Sequence, residues 1–397
     1  MKIALLGTAA LAAVSVSARA DNLSDLKAQI ETLNARVATL EATPAVPAGY
    51  SMVAFSKEGD NHIISIMPTA DAPAAAATTI SWSGYVRAGI VTTFDSTAAV
   101  GSRYSTDIRA RAGFAVSAKT DTAVGEVGVN IATVANGGSD NALKYNAGNS
   151  ALSTDGFNGY WKFTPTMTLT AGVLGTLAKS GYTFDANCTC AYNDPWGAIY
   201  PSPSGDPIAM KLGYADGPIS FAVQIEDTNN NNDSSGFGVT ARAKYSMDMI
   251  SMDLGGGYWG NTYTGGDASW AVSGGVGLKF DPVTLGVSVG AAHYGKGGQS
   301  SNPVLPLPGP APSANYDAWS AGGYANVALG DTSNLELGVT HDFGTAAVDA
   351  TAGATVMNAG IYYTPVSKLK VGLEGAYQTG GAADKSYTAA LVTWFKF

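Results

Sequence analysis

From Thr79 to Phe397 the chain is a succession of short segments in which apolar residues hold every second position. Ile80, Trp82, Val86, Ala88 and Ile90 alternate with Ser81, Ser83, Tyr85, Arg87 and Gly89. Ile219, Phe221, Val223 and Ile225 alternate with Ser220, Ala222, Gln224 and Glu226. A two-residue period over about ten residues marks a strand with one apolar and one polar face. The pattern predicts sixteen strands, over 79–94, 107–119, 122–135, 156–164, 167–177, 207–215, 218–226, 236–246, 251–260, 269–280, 282–294, 317–328, 332–342, 355–364, 368–378 and 386–397.

The connections alternate as well. Thr120-Asp121, Thr164-Pro165-Thr166, Asp216-Gly217-Pro218, Asp281-Pro282 and Gly330-Asp331 are tight turns. The intervening connections, such as 95–106, 136–155, 178–206, 227–235 and 295–316, are longer and rich in glycine or polar residues. Every strand is then antiparallel to its neighbours, with tight turns at one end and long loops at the other. That is the layout of an outer-membrane barrel.

Composition separates lipid from water. Charged residues make up only 13% of the 397, while glycine numbers 49. A soluble sandwich covers its apolar faces and charges its outer ones. Here the polar parity is mostly Gly, Ser, Ala and Thr. A sheet in lipid leaves no backbone group unpaired, so it closes on itself, and sixteen strands enclose water. Paired aromatics near strand ends suit two interfacial girdles: Tyr160-Trp161, Tyr214, Tyr245, Tyr258-Trp259, Phe280, Tyr362-Tyr363, Phe395 and Phe397. The expected fold is an all-β, sixteen-stranded antiparallel transmembrane barrel over 79–397, preceded by a short coiled-coil helix. A net charge of −9 without a basic block excludes nucleic acid as a partner.

The first 78 residues read differently. Residues 1–20 form an export signal, with Lys2, an apolar core from Ile3 to Val16 and the cleavage motif Ala18-Arg19-Ala20. Leu23, Leu26, Ile30, Leu33, Val37 and Leu40 then recur at spacings of 3, 4, 3, 4 and 3, an a/d seam for an oligomerising coiled coil over 21–42. Residues 43–78 are a Pro/Ala-rich linker, with a hairpin expected around Glu58-Gly59-Asp60-Asn61.

Gly84-Tyr85-Val86-Arg87, the strand Arg109-Ala110-Arg111 leading into Thr120-Asp121-Thr122-Ala123-Val124-Gly125, and the terminal Phe397 resemble the alphaproteobacterial general porins. Phe395 and Phe397, the last residues of an alternating strand, also resemble the assembly signal of outer-membrane proteins. The porin resemblance implies a homotrimer in outer-membrane lipid, with the amino terminus in the periplasm. It implies passive diffusion of ions and small hydrophilic solutes. It also implies that the third external loop, 178–206, folds inward as a constriction. Asp185, Asp194 and Asp206 then face a basic wall of Arg87, Arg109, Arg111, Arg242 and Lys244, all on the inward parity; Lys162 and Lys211 share that parity.

No cofactor is expected, with structural calcium at the loop aspartates as the alternative: their spacings match no calcium motif, and two thiols alone make an incomplete metal site. Cys188 and Cys190 are read as a local disulfide in that loop. The three histidines, His62, His293 and His341, have no partners at catalytic spacing, so an enzyme is not expected. Three other readings stay open: an outer-membrane anchor working through the coiled coil, a substrate-specific channel, and a secreted soluble β-protein.

Overall fold

The computed structural model describes residues 27, 30–32, 52–58, 61–67, 78–96, 98, 100–137, 153–178, 207–227, 237–260, 267–295, 315–343, 353–380 and 385–397. By its internal contacts the chain divides into two units, one of Met1–Val53 and Ile66–Ala75, the other of Ala54–Ser65 and Ala76–Phe397. Within the expected coiled coil, Lys27 and residues 30–32 are helical and Ile30 is half-exposed. Leu23, Leu26, Leu33, Val37 and Leu40 lie outside the described residues. Strands β1 (Met52–Glu58) and β2 (Asn61–Met67) pair with each other.

The second unit holds the other strands: β3 (Thr78–Asp95), β4 (Tyr104–Thr122), β5 (Gly125–Gly137), β6 (Ser153–Lys162), β7 (Met167–Val173), β8 (Ile208–Asp216), β9 (Ile219–Asp227), β10 (Phe237–Ser246), β11 (Ile250–Trp259), β12 (Ser269–Phe280), β13 (Val283–Tyr294), β14 (Tyr316–Ala328), β15 (Ser333–Asp342), β16 (Thr355–Val366), β17 (Leu369–Thr379) and β18 (Lys385–Lys396). Each is antiparallel to the next. β18 returns to β3, with Trp394 opposite Arg87 and Phe395 opposite Val86, which closes the ring at sixteen strands. The terminal Phe397 exchanges backbone hydrogen bonds with Gly84, donating at 3.0 Å and accepting at 3.2 Å.

Paired residues share a face, so the register sorts every side chain into outer or inner. On the outer parity stand Ile131, Val223, Leu254, Val287, Val339 and Leu373; Leu254 is 58% exposed and Val287 60%. Apolar side chains left exposed all round a closed wall call for a hydrocarbon solvent. Outer aromatics gather at both ends. Phe94, Tyr104, Tyr377 and Tyr387 are in contact at the long-loop end, and Tyr214 packs on Phe221 at the turn end.

Three of the expected girdle residues belong elsewhere. Tyr160, Trp259 and Tyr362 lie on the inner parity, while their neighbours Trp161, Tyr258 and Tyr363 point outward. Consecutive residues of a strand face opposite sides, so such a pair cannot serve one girdle.

Strand β7 is shorter than its pattern. The expected strand runs to residue 177, but β7 ends at Val173, just after Gly172 with φ +141°. A glycine inside a strand marks a bend. Beyond it, the Leu174 N–H donates to Pro207 O at 2.9 Å.

Candidate functional site

The inner parity of β3 to β18 forms the wall of a lumen, and most of the charge of the barrel lies on it. Arg87 stands directly opposite Arg111 in a basic corner of β3 and β4, and position 109 pairs in register with Gly89. Arg242 and Lys244 lie on β10, across from Gly255 and Asp253 on β11. Lys162 stands opposite Glu126, and Lys211 opposite Gln224. The five residues of the expected basic wall therefore lie on two separate parts of the ring, β3–β4 and β10, with Lys162 on β6 and Lys211 on β8. Asp185, Asp194, Asp206, Cys188 and Cys190 lie outside the described residues.

Arg242 is not a free cation. Its Nε donates to Asp253 Oδ1 at 2.8 Å and its terminal nitrogen to Asp253 Oδ2, a bidentate pair. Lys119 pairs with Glu126 at 3.4 Å.

Four carboxylates of the wall accept hydrogen bonds from neutral donors on their own and neighbouring strands. Glu226 is fully buried; its Oε1 accepts from Thr240 Oγ1 at 2.7 Å and Gln224 Nε2 at 2.9 Å, and its Oε2 from Trp259 Nε1 at 3.0 Å. Tyr362 donates to Glu374 at 3.0 Å and Tyr160 to Glu126 at 2.9 Å. Asn334 and Asn326 donate to Glu336 at 2.9 and 3.3 Å.

Glycines permit this arrangement. The Trp259 ring lies flat on Gly238 and Gly257, where a Cβ on Gly257 would stand 2.6 Å from both the ring and Thr240 Cγ2. Gly128 carries the Tyr160 ring in the same way, and Gly360 and Gly372 carry Tyr362. These five glycines thus seat inward aromatics that reach an acid of the wall.

The chain that leaves β7 turns inward across this wall. Gly175 O accepts from Gln224 Nε2 at 3.2 Å, on β9. Ala178 O accepts from Ser273 Oγ at 2.5 Å, on β12. Ala178 is buried with Trp259, Ala271, Ala292 and Tyr294, all of the inner parity. β12 is five strands away from β7 round the ring, so the root of the third long connection lies inside the lumen.

Sequence reasoning passed over Lys370, Lys396, Trp394, Glu336 and Glu374. Extending the parity rule to the last four strands would have placed them, because Glu336 pairs in register with Gly360, Gly360 with Glu374, Lys370 with Trp394 and Trp394 with Arg87. Among the described residues no group of three or more His, Cys, Asp or Glu could hold a metal ion.

A closed sixteen-strand barrel, apolar outside and charged inside, with its tight turns at one end, has the architecture of the porins. Solved structures show the same fold. Two engineered variants of the Rhodopseudomonas blastica porin match this chain at 18% and 19% identity, with TM-scores of 0.52 and 0.53. A triple mutant of that porin matches at 18% identity with a TM-score of 0.51. Each alignment covers 80% of this chain and 100% of the porin. No protein-family model matches the sequence, and no curated protein matches it.

Proposed function

We propose that this protein is an outer-membrane diffusion porin, passing ions and small hydrophilic solutes passively through a water-filled lumen. The observation that carries the reading is the closed ring of sixteen strands with an apolar exterior and a charged interior. Residues 178–206 constrict the channel, and Asp185, Asp194 and Asp206 face the basic corner of Arg87, Arg109 and Arg111. The inward root at Gly175 and Ala178 supports this, since a loop that starts inside the lumen narrows it. Opposed charges across a water-filled, low-dielectric-walled gap focus the field and orient dipolar solutes. The chains assemble as a homotrimer in outer-membrane lipid, with residues 21–42 in the periplasm and Phe397 as the assembly signal.

Liposome swelling tests the reading. Vesicles carrying the full chain are expected to swell in small sugars, at rates that fall steeply as the solute grows. Swelling no faster than in protein-free vesicles, with the barrel shown to be folded, would overturn it.

A further inference from the structure

The basic corner of β3 and β4 continues across the seam onto β18 and β17. Arg111, Arg87, Trp394 and Lys370 stand side by side in register on four adjacent strands. Like charges placed directly opposite each other in an antiparallel pair are destabilising. Here two arginines hold such a pair.

Aromatic rings hold several of these cations in place. The Arg87 guanidinium lies 4.4 Å from the Tyr85 ring centre and 4.8 Å from that of Trp394. Lys396 Nζ sits 4.2 Å from the Trp394 ring, and Lys370 Nζ 4.2 Å from the Tyr362 ring. A ring face attracts a cation but occupies no hydrogen-bond donor. Among the described residues Arg87 Nε is buried with no hydrogen-bond partner. Among the described residues, Glu336 and Glu374 lie close by and deep in the wall, 1% and 4% exposed, and each accepts hydrogen bonds there. Lys396, by contrast, reaches water.

We infer that Arg87, Arg111, Lys370 and Lys396 form a capture site for small phosphate- or carboxylate-bearing anions, and that the channel prefers anions to cations. The inference rests on the porin reading above and adds a solute class to it. A guanidinium presents a fork of donors that matches such oxyanions, and lysines supply point charge beside it.

The test is electrical, on the full chain in planar bilayers. Under a KCl gradient the zero-current potential is expected to carry the sign of chloride permeation. Inorganic tripolyphosphate is expected to reduce the KCl current reversibly. Arg87→Gln and Lys370→Gln should each weaken that block about tenfold, the loss of one charge-assisted contact. Lys279→Gln, on the inner face of β12 and outside the row, should leave it unchanged. Conductance of normal size in each variant shows that its barrel is folded. A potential of the opposite sign, or block unaltered in Arg87→Gln, would overturn the inference while leaving the channel intact. No conductance at all would overturn the porin reading instead.

Discussion

Replacing Glu226 by alanine is expected to loosen the barrel and enlarge its conductance together. The side chain is fully buried and takes three hydrogen bonds, from Thr240, Gln224 and Trp259. Its removal strands the Thr240 hydroxyl and the Trp259 indole N–H without their acceptor. Each buried donor left unsatisfied costs about 1–3 kcal/mol. Gln224 also loses the contact that aims its amide, and that amide holds Gly175 O at the root of the inward loop. The loop then depends on Ser273 and the packing round Ala178. Urea midpoints of the barrel should fall, and current traces should show larger, noisier open levels. Glu226→Gln keeps the shape and an acceptor, so its losses should be smaller. Unchanged midpoint and conductance in Glu226→Ala would refute the assignment of this cluster as the anchor of the loop.

The second large effect separates the two faces of one strand. Ile131 lies at the middle of β5 on the outer parity; Ala132, its neighbour, lies on the inner parity opposite Ala115 and Gly156. Arginine at a lipid-facing position near the bilayer midplane costs about 2–4 kcal/mol, whereas the lumen offers water. Ile131→Arg should therefore destabilise the barrel by roughly that amount in reversible refolding into lipid vesicles. Ala132→Arg should cost under about 1 kcal/mol, since its charge stays hydrated. Equal penalties at both positions, or the reverse order, would contradict the placement of the faces.

Much of this architecture was legible because the strand period is so simple. Sixteen alternating segments and the alternation of turn and loop lengths led directly to a closed antiparallel ring. The end of β7 was not legible. Leu174, Leu177 and Ala178 continue an apolar texture, but they are buried after the chain has turned inward at Gly172. Alternation reports which side is apolar, and both hydrocarbon and a packed lumen reward apolar residues. The inner placement of Tyr160, Trp259 and Tyr362 was hidden for a related reason. Each adjoins an outward aromatic, and only the register separates the two. The basic corner could be read from parity on β3 and β4. Its continuation to Lys370 and Lys396 depends on closure, which sets the last strand beside the first. The pairing of Arg242 with Asp253 depends on the β10–β11 register, which the hydrophobic pattern leaves one strand short of naming partners.

Single-channel current through the full chain in a planar bilayer tests the central claim most directly. A water-filled lumen predicts discrete, ohmic steps whose conductance rises in proportion to bulk KCl. Folded, membrane-inserted protein that produces no steps above the bare bilayer would contradict it.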